Sequence, residues 1–337
     1  GIRDLVRSRG LGDVYKRQIR NLDFLEKWSS QIKNCEIIIC EDHPQKEIET
    51  PQVGKKIHHF SWKEIDQDLE ENSWIIPRKV SGIRNYGFLK AYQMGAEIII
   101  TLDDDCYPVK GHLLIKQHLQ NLGLMVPKRW TNTYPDARHL YTRGMPYLNR
   151  SEQQVMISHG LWTNVLDFDG ATHLQKMEFR ADFAEHFLQI LPNGAYYPMC
   201  SMNLAFNAKI APLMYFPLMG EDNQGNKWGY DRFDDIWAGI FSKKIMDHLG
   251  YAVVNGAPFV RHDKASDPFK NLQKEALGIE TNEELWKWVD CVELSSKTPA
   301  KCYRELAQKI KWPEGHYFFD KLKKAMIIWS SLFLKQA

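Results

Sequence analysis

Short apolar runs alternate with stretches of helical periodicity along much of this chain. Leu22, Leu25, Trp28 and Ile32 recur at helical spacing behind Asn21, a residue type that often caps a helix. This alternation predicts an α/β fold with a mostly parallel central sheet flanked by helices, in which ligands bind at the carboxyl ends of strands. The predicted strands are 36–40, 97–102 and 251–255, and the predicted helices are 22–32, 81–92 and 232–249.

Other parts of the chain do not share this alternation. Residues 1–18 are rich in Arg and Lys and contain Gly10 and Gly12, so we interpret them as a tail of non-native appearance. Residues 130–217 are rich in Gly, Pro and aromatic residues, and we expect an irregular segment that forms the acceptor side of a pocket. Residues 282–334 have a helical pattern with breaks near Pro299 and Pro313. We therefore expect a main domain at 19–280 and a helical extension at 281–337.

Composition narrows the class of protein. The chain has 337 residues, 44% of them hydrophobic and 26% charged, which is an ordinary soluble composition. A net charge of +2 argues against a nucleic-acid-binding surface, and no apolar stretch is long enough to span a bilayer. The cysteines form no Cys-x-x-Cys pair and no secretory signal is visible, so we expect reduced thiols in a cytoplasmic protein.

The predicted strand at 97–102 ends in three consecutive carboxylates, Asp103, Asp104 and Asp105. Adjacent carboxylates repel each other unless a cation lies among them, and Mg²⁺ and Mn²⁺ often bridge carboxylates to substrate phosphates. The triplet is therefore a candidate metal–diphosphate site, although an acidic loop or a helix N-terminal turn remains open. Asp42 also follows a predicted strand and is expected in the same crevice. His262 is either a structural histidine or a third ligand of the metal.

Further polar groups have both a functional and an ordinary interpretation. Arg84 lies at a glycine-containing helix start, where it could hold a phosphate or face solvent. Arg143 and Arg150 lie in a loop that contains Gly and Pro, where arginines usually face solvent. Asp234 and Asp235 open the helix at 232–249, where they could act as a base, bind sugar hydroxyls or interact with the helix dipole.

Several common catalytic motifs are missing from the sequence. It contains no Walker-type loop, no Gly-x-Gly-x-x-Gly, no Gly-x-Ser-x-Gly and no His-Glu-x-x-His. These absences argue against P-loop kinases, nicotinamide dehydrogenases, serine hydrolases and zinc proteases.

Six segments resemble one protein family in its own order along the chain. The family is that of the reversibly glycosylated polypeptides, or UDP-arabinopyranose mutases, which have the glycosyltransferase A-type fold. The segments are 19–25 (IRNLDFL), 101–106 (TLDDDC), 158–162 (SHGLW), 198–206 (PMCSMNLAF), 230–239 (YDRFDDIWAG) and 262–269 (HDKASDPF).

The resemblance implies a UDP-sugar substrate and a Mn²⁺ or Mg²⁺ ion. It also implies interconversion of UDP-arabinopyranose and UDP-arabinofuranose, a cell-wall polysaccharide precursor, through a sugar–arginine intermediate with self-glycosylation. In the family the modified arginine precedes Gly-x-Pro and a second required arginine follows, as Arg143 and Arg150 do here. The implied catalytic residues are Arg143, Arg150, Asp234 and Asp235. The implied nucleotide-sugar-binding residues are Arg20, Asp42, Arg84, Asn85, Asp103, Asp104, His159 and Trp162. The implied metal ligands are Asp103, Asp105 and His262.

One segment departs from the family pattern. The family begins with an apolar strand that ends in Pro-Thr, whereas residues 14–18 are Val-Tyr-Lys-Arg-Gln, so the tail at 1–18 replaces the expected first strand. Two alternatives therefore stay open: a conventional metal-dependent UDP-sugar glycosyltransferase, and a non-catalytic partner subunit of a hetero-oligomer. We expect a homo- or hetero-oligomer that binds no nucleic acid and has no membrane span. We expect the protein to be cytoplasmic and, if its source is eukaryotic, peripheral to the Golgi.

Overall fold

The computed structural model describes residues 22–131, 133, 141–182, 187–263 and 266–334, together with the backbone of two short strands nearer the amino end. Within these residues the strands are β1 (Val6–Ser8), β2 (Arg17–Ile19), β3 (Glu36–Cys40), β4 (Lys56–Phe60), β5 (Ile98–Leu102), β6 (Cys106–Pro108), β7 (Met125–Pro127), β8 (Glu152–Asn164), β9 (Leu188–Ile190), β10 (Asn203–Asn207) and β11 (Ala252–His262). The α-helices are α1 (Phe24–Ile32), α2 (Trp62–Leu69), α3 (Arg84–Gln93), α4 (Leu114–Leu122), α5 (Gly170–Gln175), α6 (Asp234–Leu249), α7 (Pro268–Asp290), α8 (Pro299–Lys309) and α9 (Tyr317–Leu332). The predicted elements at 22–32, 36–40, 81–92, 97–102 and 232–249 are confirmed within a few residues, and the strand at 251–255 extends to His262.

The main sheet is mixed and is flanked by helices. Its strand order is β5-β10-β8-β11-β6, with β7 added beside β8 and β9 beside β11. Only β8 and β11 pair in parallel within it, because β10 runs antiparallel to both β5 and β8, and β6, β7 and β9 oppose their partners. The predicted α/β class is confirmed. The expectation of a mostly parallel sheet is wrong, because most strand pairs in this sheet are antiparallel. The glycosyltransferase A-type classification stays a prediction.

The segment at 130–217 is not irregular throughout, because it contains the central strands β8 and β10. These strands contain polar residues, so the search for apolar runs did not predict them. His118 of α4 lies 2.8 Å from Ser158 Oγ through Nδ1 and 2.8 Å from Asn203 Oδ1 through Nε2, and all three residues are buried. Burial lowers the pKa of His118 to about 4, although the hydrogen bond that its Nε2 donates to Asn203 Oδ1 acts in the opposite direction. A buried polar network and two central strands thus lie in a segment that was expected to be irregular.

Helix α6 and the carboxyl-terminal helices share one hydrophobic core. Trp237 of α6, Tyr303 of α8 and Trp329 of α9 are fully buried in it. Gly250 adopts a left-handed conformation (φ 73°) and ends α6. Helix α7 continues across the predicted boundary between residues 280 and 281, and the division into 19–280 and 281–337 stays a prediction.

Two smaller observations bear on the predicted environment. None of the helices in the described ranges is long and apolar enough to cross a membrane. The cysteines in those ranges are free thiols.

Candidate active site

The acidic triplet lies at the carboxyl end of β5 and is held by a buried arginine. Asp103 and Asp104 are buried, whereas Asp105 is half-buried. Arg84, the first residue of α3, is fully buried, and its Nη2 donates a hydrogen bond to Asp103 Oδ1 at 2.7 Å. Such a partner is needed because an unpaired buried charge is costly. The predicted strand end and the predicted helix start therefore meet at this ion pair.

The same guanidinium binds three further groups. Its Nη1 donates to the carbonyl oxygen of Ser201 at 3.0 Å and to Thr101 Oγ1 at 2.9 Å. Its Nε donates to the carbonyl oxygen of Ser81 at 3.2 Å. The rigid fork of an arginine can serve several acceptors at once, so Arg84 fixes the start of α3 against β5 and the segment before β10.

The two serines connect Arg84 to the acidic start of α6. Ser81 Oγ donates to Asp234 Oδ2, and both the backbone N–H and the hydroxyl of Ser201 donate to Asp235 Oδ2 at 3.0 Å. Both carboxylates are buried in the first turn of their helix, where the helix dipole also favours them. We call this set the Arg84 network; it comprises Ser81, Arg84, Asp103, Ser201, Asp234 and Asp235.

Asp105 faces His262, which follows from the pairing of β11 with β6. His262 Nε2 lies 3.7 Å from Asp105 Oδ1, and Nδ1 lies 2.9 Å from the carbonyl oxygen of Val165. Because a carbonyl only accepts, Nδ1 carries a proton, and the neutral ring presents the Nε2 lone pair beside the carboxylate. Burial lowers the pKa of His262, but the nearby Asp105 carboxylate, which favours the protonated imidazolium form, outweighs burial and raises the pKa.

The predicted metal ligands are only partly brought together. Asp105 and His262 are neighbours, whereas Asp103 binds Arg84. Among the residues that the structure describes, no group of three or more His, Cys, Asp or Glu side chains is arranged to hold a metal ion. An anchored imidazole beside a carboxylate nevertheless fits Mg²⁺ or Mn²⁺ if substrate phosphate oxygens supply the remaining ligands. Metal binding itself stays a prediction.

Asp42 and Asn85, two residues assigned to the nucleotide, have structural partners. Asp42 follows β3 and its Oδ1 accepts a hydrogen bond from Trp62 Nε1 at 2.7 Å. Asn85 pairs with the backbone of Phe216 in both directions, at 2.8 Å each, and so fastens α3 to that segment. Burial and these partners favour a positioning role for Asn85 and for Arg84, and their contact with a nucleotide stays a prediction.

His159 and its aromatic neighbours lie on the central strand β8. His159 Nδ1 lies 2.7 Å from Asn255 Oδ1, and Nε2 accepts the backbone N–H of Cys200 at 2.9 Å. These partners fix a neutral tautomer, and burial lowers the pKa of His159. Trp162 and Tyr197 flank the ring, and their buried Nε1 and Oη atoms have no hydrogen-bond partner in the described residues. Unpaired buried donors of this kind are suited to a polar ligand.

The structure does not bring the two loop arginines to the Arg84 network. Arg143 is exposed, in a turn where Gly144 has φ 99°. Arg150 is half-buried and folds back on that turn, with Nη2 3.4 Å from the carbonyl oxygen of Met145. Its guanidinium also stacks 3.7 Å from the ring centre of Tyr147. Arg150 therefore supports the loop that carries Arg143, and the catalytic roles of both stay predictions.

Sequence reasoning missed several members of the site. Thr101, Ser201, Trp62 and Tyr197 carry no motif of their own, although Thr101 and Ser201 lie in segments that resemble the family. Their roles depend on contacts far apart in sequence, such as Arg84 with Ser201 across 117 residues. Arg20 lies outside the described residues.

Comparison with known proteins identifies the family. A profile described as reversibly glycosylated polypeptide matches residues 12–336. The chain is 36% identical to "Probable UDP-arabinopyranose mutase 4" of Arabidopsis thaliana and 37% identical to "Probable UDP-arabinopyranose mutase 1" of Pisum sativum, each match covering 94% of this chain and 88% of the relative. It is 36% identical to "UDP-arabinopyranose mutase 1" of Arabidopsis thaliana, over 94% of this chain and 90% of that protein. This chain therefore belongs to the reversibly glycosylated polypeptide family.

Proposed function

We propose that this chain is a UDP-arabinopyranose mutase whose substrate diphosphate binds at the carboxyl end of β5. The observation that carries the proposal is the similarity to proteins named as such mutases along 94% of the chain. The geometry supports this proposal, because the buried Arg84 joins the acidic carboxyl end of β5 to the acidic start of α6 through Ser81 and Ser201. Ligands of α/β proteins commonly bind at the carboxyl ends of strands.

In this proposal Asp105 and His262 are the residues that would hold Mn²⁺ or Mg²⁺. When bound, such an ion neutralises phosphate charge and makes UDP a better leaving group. Arg84 positions Asp103, and Asp104 lies beside them at the strand end. The unpaired Nε1 of Trp162 and Oη of Tyr197 are suited to sugar hydroxyl groups.

The proposed chemistry is an isomerisation in which all atoms are conserved. The bond between the anomeric carbon and the β-phosphate oxygen breaks, and its electron pair leaves with UDP. A guanidinium nitrogen of Arg143 bonds to the anomeric carbon and passes its proton to a carboxylate. The ring bond between the anomeric carbon and its oxygen breaks as that carbon forms a double bond to the attached nitrogen, whose proton passes to the ring oxygen. A different hydroxyl then adds to the same carbon and gives its proton to the nitrogen. UDP finally reattacks the anomeric carbon, and the proton held by the carboxylate returns to Arg143 as the carbon–nitrogen bond breaks.

Each arginine and carboxylate has a stated role in this scheme. Arginine is a poor nucleophile because its pKa exceeds about 12, so it needs a base, for which Asp234 and Asp235 are the candidates. Arg143 is exposed, so the loop must approach the sheet edge before the sugar is captured. Arg150 is proposed to bind the diphosphate through two parallel hydrogen bonds.

Product analysis tests the function. The purified chain is incubated with UDP-arabinopyranose and Mn²⁺ or Mg²⁺, without an acceptor, and the nucleotide sugars are separated by chromatography. A mutase yields UDP-arabinofuranose. Free arabinose or sugar transfer only to an added acceptor would instead support a conventional transferase, and absence of both products and UDP binding would support a non-catalytic subunit.

Radiolabelled UDP-sugar tests the arginine intermediate. Label should remain on the unaltered protein after denaturation and should be lost in Arg143→Ala. Arg129→Ala is the matched control, since Arg129 is also an exposed arginine but lies outside the loop. Label retained by the Arg143→Ala protein would refute the covalent role.

Calorimetry tests the metal site. Asp105→Asn should abolish the Mn²⁺-dependent part of UDP binding, because it removes a charged ligand beside His262. Asp263→Asn is the control, since this neighbouring carboxylate is exposed and pairs with Arg261. Equal Mn²⁺ dependence in the unaltered protein and in Asp105→Asn would contradict the assignment.

A further inference from the structure

A buried ion pair lies directly before the acidic start of α6. Arg232 Nε donates a hydrogen bond to Glu275 Oε1 at 2.6 Å, and the two side chains are only 14% and 5% exposed. Glu275 belongs to α7, whereas Arg232 shortly precedes Asp234 and Asp235 in the chain. The pair therefore connects α7 to the two carboxylates that are the candidate bases of the proposed reaction.

The carboxylate of Glu275 is held from two directions. Its Oε2 accepts the backbone N–H of Gly170, the first residue of α5, at 2.6 Å. Helices α5 and α7 approach each other closely there, since a Cβ on Gly170 would lie 2.4 Å from the backbone nitrogen of Leu272. Each oxygen of Glu275 thus has a partner on a different element, and these two partners fix the carboxylate in one orientation.

The backbone of Arg232 has an unusual conformation. Its φ is 65°, in the left-handed region that residues other than Gly rarely adopt. Such conformations persist where surrounding contacts determine them, and they cluster at functional sites. Here one contact is the bond to Glu275, and the other is the packing of Phe233 on α7, where a Cβ on Gly278 would lie 2.3 Å from the ring. Helix α7 therefore fixes the turn by which the chain enters α6.

Stability alone does not account for a carboxylate at this position in α7. Glu275 is buried, and replacement of a buried ion pair by apolar residues of similar volume is often neutral or stabilising. The pair does fix the entry of the chain into α6, whose first turn brings its two carboxylates to the serines of the Arg84 network. A role in orienting those carboxylates explains why a charged pair lies here.

We propose that Glu275 is a positioning residue for the isomerisation. Through Arg232 it holds Asp234 and Asp235 in the orientation in which one of them accepts the proton from Arg143. This inference rests on the proposed function, because that scheme makes the two carboxylates candidate bases. Loss of the pair should impair the proton transfer more than the binding of the nucleotide sugar, so kcat should fall while KM is retained.

Steady-state kinetics with UDP-arabinopyranose and Mn²⁺ test the role of Glu275. Glu275→Gln keeps the size of the side chain, but an amide nitrogen cannot accept the second hydrogen bond. We expect kcat to fall at least about tenfold and KM to change less than about twofold. Lys274→Met is the matched control, because the adjacent Lys274 pairs with Asp231 at 2.7 Å and is 56% exposed. This control should leave kcat and KM within about twofold of the unaltered chain.

Two further measurements separate positioning from a loss of folded protein. Calorimetric titration with UDP counts the molecules that bind nucleotide, so kcat is expressed per UDP-binding site. Arg232→Gly removes the partner of Glu275 but allows a φ of 65° without strain, so it keeps the test decisive even if Glu275→Gln does not fold. It should lower kcat per UDP-binding site at least about tenfold, as Glu275→Gln does.

The kinetic outcomes distinguish this inference from the proposed function. Unchanged kcat per UDP-binding site in Arg232→Gly or Glu275→Gln, beside an active unaltered chain, would overturn this inference alone. A raised KM with kcat retained would assign the pair to substrate binding and also overturn it, as would an equal fall of kcat in Lys274→Met. Absence of isomerisation by the unaltered chain would refute the proposed function and this inference with it.

Discussion

Replacement of Arg84 by methionine tests the central claim that one buried guanidinium holds the site together. The substitution keeps a long side chain but removes the partner of Asp103 and the donors to two serine carbonyls. Both side chains are essentially inaccessible, with exposures of 0% for Arg84 and 4% for Asp103, so solvent does not screen their interaction. Removing one member of a buried pair leaves an uncompensated charge. We therefore expect the free energy of unfolding to fall by about 3–5 kcal/mol.

Urea unfolding followed by tryptophan fluorescence measures this change. Arg261→Met is the matched control, because Arg261 and Asp263 form a pair in which the side chains are 57% and 42% exposed. That control should change stability by less than about 1 kcal/mol. The double variant Arg84→Met with Asp103→Leu should be more stable than Arg84→Met alone, since no unpaired charge remains. A loss below about 1 kcal/mol for Arg84→Met would refute the reasoning.

Three further predictions concern pH and packing. Because the pKa of His262 is raised, its pairing with Asp105 stabilises the fold at low pH, and this stabilisation is lost as pH rises through the folded pKa. In urea unfolding, Asp105→Asn should therefore lower the free energy of unfolding more at about pH 5.5 than at about pH 8.5. The pKa of His118 is lowered to about 4 from an ordinary 6.5, so the stability of the fold should fall as pH drops between these values. His118→Gln should make the midpoint of urea unfolding less dependent on pH in this range. An unchanged pH dependence in the variant would contradict this prediction. Gly160→Ala would place a Cβ 2.2 Å from Asn203 Nδ2 and should cost about 1–3 kcal/mol in the same assay, whereas a neutral effect would show that the amide can move away.

Local patterns predicted most elements that surround the site. The strand before Asp103 and the helices that begin near Arg84 and Asp234 occur where apolar spacing and polar boundaries placed them. Strands β8 and β10 were missed, because His159 interrupts the apolar run of β8 and asparagines bound the three-residue apolar run of β10. His159 and Asn203 are satisfied by partners on other elements. Strand direction was also misjudged, since β10 inserts between β5 and β8 and local sequence does not encode the pairing partner.

The sequence by itself determined the family, the α/β class and the positions of the acidic residues at element ends, because these depend on short patterns. Only the tertiary structure decided what each charged group binds. Arg84, predicted near a nucleotide, is buried against Asp103, and Asp234 is joined to Ser81 across 153 residues. Such contacts form because a buried charge or hydroxyl requires a partner, and the folded chain, rather than the neighbouring sequence, supplies it.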